Sequence, residues 1–79
     1  LAIDVAGSTV TLRDTIVVAD TSALEVTLGS ALGVVGSDLT GTLHATGATA
    51  FITRSIIRGP MTGFTCNDVW DTNLDRVAC

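Results

Sequence analysis

Three stretches of this chain superimpose when written one above another. They are Gly7-Ser-Thr-Val-Thr-Leu-Arg-Asp-Thr-Ile-Val17, Ser30-Ala-Leu-Gly-Val-Val-Gly-Ser-Asp-Leu-Thr40 and Gly47-Ala-Thr-Ala-Phe-Ile-Thr-Arg-Ser-Ile-Ile57. In this alignment Leu12, Val35 and Ile52 share one position, and Ile16, Leu39 and Ile56 share another. A small polar residue lies between them: Thr15, Asp38 and Ser55. The repeats are spaced 23 and then 17 residues apart. Units of this size cannot bury an apolar face alone and do so by stacking on their neighbours. The alignment therefore predicts parallel, in-register pairing of Leu12 with Val35 and of Val35 with Ile52. Each unit also has a shorter apolar stretch upstream: Ile3-Asp-Val5, Leu24-Glu-Val-Thr-Leu28, and Leu43 within Thr42-Leu-His44. These alternate apolar and polar, the period of a strand with one buried face. Gly7, Gly29, Gly41, Gly47 and Gly59-Pro60 separate the pieces and supply corners.

The residue types agree. Thirteen Thr, nine Val and five Ile are β-branched, and Lys and Tyr are absent. Such side chains lose rotamer freedom in a helix and pack well on a pleated surface. Ser22-Ala-Leu-Glu25 matches a helix capping box, but the β-branched run that follows it stops at Gly29, so no helix is expected. An all-β parallel coil of about three turns is the expected fold. The alternative is a small antiparallel sandwich, which favours Asn-Gly or Asp-Gly hairpin turns, and neither dipeptide occurs.

Mean hydropathy is +0.56, too apolar for a disordered segment. The longest aliphatic run, Ile16-Val17-Val18-Ala19, is far short of the roughly 20 residues that cross a bilayer, so no membrane insertion is expected. The net charge of −4 leaves no basic footprint for nucleic acid. The chain begins at Leu1 without Met, which suggests a processed or excised piece. Both cysteines, Cys66 and Cys79, lie in the C-terminal tail. Their spacing fits no compact metal motif, and a disulfide is expected, implying an oxidising, extracellular or cell-surface location. Residues 1–65 are then the coils and 66–79 a disulfide-closed capping tail. Val69, Trp70, Leu74 and Val77 of that tail are expected to lie over the last coil.

Val10-Thr-Leu-Arg-Asp-Thr-Ile16, echoed by Ala50-Phe-Ile-Thr-Arg-Ser-Ile56, resembles rungs of the right-handed parallel β-helix repeat proteins, the pectin-lyase-like group. The stretch from Cys66 to Cys79 is similar to the cysteine-bounded tails that finish some secreted members. The resemblance implies a tight polar bend between the apolar pair, at Asp14, Ser37 and Arg54, where family members often carry a ladder of stacked Asn. None of the three is Asn.

Three groups of residues invite a chemical reading. Asp71, Asn73 and Asp75 alternate as calcium-loop ligands do, but Arg76 stands where the glycine belongs. A solvated turn competes with calcium there. Asp14, Asp38 and Arg54 would stack on successive coils and imitate the acidic clusters of glycan lyases and hydrolases, which the resemblance brings to mind. Hydrolysis needs two carboxylates at controlled separation, and charges paired on a wet face are the competing reading. Thr9, Thr11, Thr40, Thr42 and Thr49 would suit an ice-binding row, but their spacing is irregular and strand propensity accounts for them. His44 has no partner in a triad-like sequence arrangement. No catalytic residue stands out.

The expected function is a structural or binding module, the terminal coils of a secreted or surface β-helix used in adhesion, glycan contact or assembly. The alternatives are the C-terminal piece of a polysaccharide lyase or glycoside hydrolase, and a subunit of an oligomeric fibre. Because the tail supplies a cap at one end only, further coils or another chain are expected to stack at the N-terminal edge, near Leu1–Val5.

Overall fold

The structure, a computed structural model, describes residues 1–79 and contains strands and turns only. Its strands are β1 (Ile3–Val5), β2 (Thr9–Arg13), β3 (Ile16–Val26), β4 (Ala31–Val35), β5 (Asp38–Ala45), β6 (Thr49–Arg58), β7 (Met61–Thr62), β8 (Thr65–Trp70) and β9 (Arg76–Val77). They wind into a parallel β-solenoid of about three turns with three walls. Strand β2, strand β4, the first half of β6 and β8 stack as one wall. The starts of β3 and β5 and the end of β6 form the second. The third holds β1, the ends of β3 and β5, and β7. Every pairing is parallel except that of β8 with β9, which rules out the antiparallel sandwich.

The stacked ledges are real, but the middle repeat sits one residue away from its expected place. Leu12 pairs with Val34, and Val34 with Ile52, whereas Val35 pairs with Arg13 and Thr53. Likewise Val17 pairs with Leu39, and Leu39 with Ile57. Ile16 is therefore an outward residue, 77% exposed, whereas Leu39 is 1% exposed. The coil spacings are 22 and 18 residues. The bend sets this phase. Asp14, Gly36, Arg54 and Asp68 all have positive φ, between 48° and 60°. The left-handed residue interrupts the in-out alternation, so the next side chain turns inward. The bend residue of the middle coil is thus Gly36, and Ser37 follows it as an inward hydroxyl.

Successive coils shorten. Thr65 lies 14 residues after its partner Phe51, because β7 has only two residues and a single glycine, Gly63, separates it from Phe64. Phe64 is 7% exposed and joins the core at this narrow end. The wide coil takes up its extra residues as an irregularity between Val18 and Leu24, opposite the short Thr40–Leu43 step.

Inward columns such as Leu24–Leu43 and Leu32–Ala50 make the core. Each aliphatic side chain buried there contributes roughly 1.5–3 kcal/mol. No buried side-chain polar atom lacks a hydrogen bond. Cys66 and Cys79 form the expected disulfide, with Cα atoms 5.3 Å apart. The Met61 sulfur lies 3.9 Å from the Cys66 sulfur and 3.8 Å from that of Cys79. Residues 66–70 belong to β8 and continue the stack, so the covering piece is the hairpin from Asp71 onward. In that hairpin Leu74 is not a lid residue. It is 67% exposed at a left-handed turn position, whereas Val69 is buried and Val77 packs on the core.

The phase of the bend yields a paired prediction. Leu39→Ala should cost about 2–5 kcal/mol by leaving a cavity, whereas Ile16→Ala should stay within about 0.5 kcal/mol. Chemical denaturation of both variants measures this, and equal losses would contradict the phase described above.

Candidate functional site

The corner between the first and second walls carries the most chemistry. Along it the bend residues read Asp14, Gly36, Arg54, Asp68, one per coil. Inside them runs a column of small polar side chains. The Ser37 hydroxyl accepts the Thr15 N–H at 3.1 Å and donates to the Val35 carbonyl at 3.0 Å. The Ser55 hydroxyl accepts the Ser37 N–H at 3.1 Å and donates to the Thr53 carbonyl at 2.9 Å. This hydroxyl ladder does the work expected of stacked Asn, from the position after the bend. It stops at Val69, which has no hydroxyl and pairs with Ser55.

Asp14, Asp38 and Arg54 all line one shallow groove of about 430 Å³, together with Ile56 and Trp70. They do not act on one another. Asp38 is held by Arg58 through two parallel bonds, Nε to Oδ1 at 3.0 Å and Nη2 to Oδ2 at 3.2 Å. The hydrogen bonds that Arg58 donates to Asp38, and then the Asp38 charge, raise the guanidinium above its ordinary value. Asp68 is held by Arg76 at 2.9 Å, and Arg76 also lies over the Trp70 ring, 5.8 Å from its centroid. Arg54 and Asp14 make no ion pair. Gly36 separates them, and a Cβ there would approach Asp14 Oδ1 to 2.9 Å. Of the two groove carboxylates, one is tied to an arginine.

Neither Arg58 nor Gly36 is among the residues the sequence singles out for this site, and Trp70 is expected there only as part of the capping tail. Arg58 lies one strand residue beyond the repeat, where only the stacking of β5 on β6 brings it to Asp38.

Asp71 organises the tail turn. Its Oδ1 accepts the N–H groups of Asn73 at 2.9 Å and of Asp75 at 3.0 Å. The oxygen that would lead a calcium loop thus serves backbone donors, as in Asx turns. Asn73 and Asp75 are exposed on the same turn, and no three His, Cys, Asp or Glu side chains converge anywhere in the chain. His44 bonds Thr46 Oγ1 at 2.8 Å on the outer surface. On the outer face of the first wall Thr9 stacks on Ala31 and Thr11 on Gly33, and Phe51 projects beside them, so threonine makes no continuous row.

No family model, curated protein or solved structure matches the chain.

Two outcomes are expected. Arg54 holds a left-handed conformation that disfavours side chains with a bulky Cβ environment. Arg54→Asn should therefore raise stability, by up to about 1 kcal/mol in denaturant titration, and a loss of that size would show that the guanidinium matters to the fold. Asp71→Ala should cost about 1–2 kcal/mol by freeing two N–H groups, with a melting temperature indifferent to calcium or chelator both before and after the substitution. A calcium-dependent rise in the unsubstituted chain alone would restore the metal reading.

Proposed function

We propose that the chain is a structural or binding module, the closed terminal coils of an extracellular β-solenoid, and that it does no chemistry itself. One observation carries this reading: the two ends of the stack are unlike. At the C-terminal end β9 turns back antiparallel on β8 and Val77 packs on the core, with a cavity of about 270 Å³ between the turn at Asp71–Asn73 and Ile57, Gly59 and Met61. The disulfide pins that segment to β8. At the N-terminal end β1, β2 and the start of β3 pair on one side only. Exposed strand edges recruit other strands unless covered. A module of this shape terminates an assembly at one end and joins it at the other.

The groove supports a secondary role in contact with a glycan or another polar surface, through the unpaired Arg54 and the Trp70 ring beside it. Likeness to the pectin-lyase-like group belongs to the same proposal, resting on parallel coils with a polar bend. The lyase or hydrolase alternative is less favoured because Asp38 is engaged by Arg58.

The fibre alternative separates cleanly. With one end closed, the intact chain should not grow into open-ended polymers, and light scattering at micromolar concentration should give small species only. Long fibres formed by the intact, oxidised chain would overturn the closed-end reading. Reduction should cost about 3 kcal/mol by the loop-entropy relation, uncover the C-terminal end and promote association. Assays on uronate-containing and neutral polysaccharides should show no new reducing ends or unsaturated products. Turnover that disappears in Asp14→Asn would favour the enzyme.

A further inference from the structure

We infer that the N-terminal edge is a docking surface for one further parallel solenoid coil. That coil places aliphatic side chains over Ile3, Val10 and Leu12, and a backbone N–H over the Thr15 hydroxyl. The inference deepens the closed-end reading and rests on it.

Three inward columns show what is missing. Ile3, Val10 and Leu12 are only partly buried, although they pack on the core. Their partners one coil further on, Leu24, Leu32 and Val34, are 1%, 2% and 0% exposed. The difference is a covering coil, because the side chains are of similar size and share a column. An occupant that offers polar side chains there would leave the same surface unfavourably placed.

The hydroxyl ladder states the direction and register of the occupant. Ser37 and Ser55 each donate to the carbonyl two residues back and accept an N–H from the coil on the N-terminal side. Ser30 also links to the preceding coil at another corner, accepting the Gly7 N–H at 2.8 Å but donating across to the Val5 carbonyl at 3.2 Å. Thr15 has the same donor arrangement, its Oγ1 giving its proton to the Arg13 carbonyl at 2.9 Å. No N–H reaches its acceptor side. A parallel coil in the register of its successors supplies that donor.

A second copy of the chain fits less well. Two such edges meeting about a twofold axis run antiparallel, which reverses the order of the columns. Each would also bring Asp4, Asp14 and Asp20 against a single Arg13, an excess of negative charge on both sides.

The test lengthens the intact chain. A copy of Ser22–Thr40 is placed directly before Leu1, so that Leu32, Val34 and Ser37 of the copy fall 18 residues ahead of Val10, Leu12 and Thr15. That is the spacing the chain already uses between Ser37 and Ser55. The added coil should raise the melting midpoint by roughly 5 °C or more and slow amide exchange in β2 and the start of β3 by about tenfold or more. Thr15→Val should lower the midpoint of the lengthened chain more than that of the original. A lengthened chain whose added amides exchange as unstructured peptide, with no shift in midpoint, would overturn the inference. So would a dimer of the original chain that protects β2, since the occupant would then be a second copy. Fibre growth by the intact chain sinks the closed-end reading on different evidence, at the other end of the molecule.

Discussion

No coil of this chain can bury its own aliphatic side chains, and the fold depends on how that is resolved. Each inward residue is covered by a residue in the same column of the adjacent coil, Leu12 by Val34 and Val34 by Ile52. This works only if all coils run the same way at a fixed register, because a slip of one residue turns every inward side chain outward. Apolar columns alone hold that register poorly, since Val34 and Val35 are chemically identical. The bend holds it. A left-handed residue followed by a small hydroxyl appears at Asp14-Thr15, Gly36-Ser37 and Arg54-Ser55, and the hydroxyls hydrogen-bond from coil to coil. Buried polar groups of this kind are costly when unpaired and so discriminate against misaligned stacks.

The parallel architecture was legible because the composition, the alternating strands and the repeat all pointed to it. The outer repeats, beginning at Gly7 and Gly47, align in the sequence as they do in space. The middle one failed by a residue because Ser30 was matched to those two glycines. Gly29 is their true counterpart, and all three have positive φ, at 61°, 80° and 61°. That glycine column, read together with Thr15, Ser37 and Ser55, gives spacings of 22 and 18 without any structure. Aliphatic residues are interchangeable along such an alignment, whereas the glycines and hydroxyls are not. Phe64 was hidden for another reason: its burial follows from the shortening of the last coil, and no local pattern announces that.

The candidate site was legible in its membership and not in its connections. Asp14, Asp38 and Arg54 reach one groove because stacking brings bends together. Their pairing depends on side-chain reach between walls. Arg58 is selected for Asp38 because Thr40 and Arg58 are register partners while Asp38 sits across from Ile56, two residues away on the same outer face. The same geometry gives Arg76 to Asp68 at the hairpin. Of the three charges that stand together in the groove, Asp38 is drawn into a pair with Arg58, while Asp14 and Arg54 stay outside any ion pair.

The most direct measurement is a set of inter-strand nuclear Overhauser contacts on the isotopically labelled chain in solution. Backbone contacts should link the neighbourhood of Leu12 to Val34 and that of Val34 to Ile52, with the amide–α pattern of parallel strands. Strong α–α contacts between sequential strands, or a connection of Leu12 to Val35 in place of Val34, would contradict the stacked register from which the closed end, the open edge and the groove all follow.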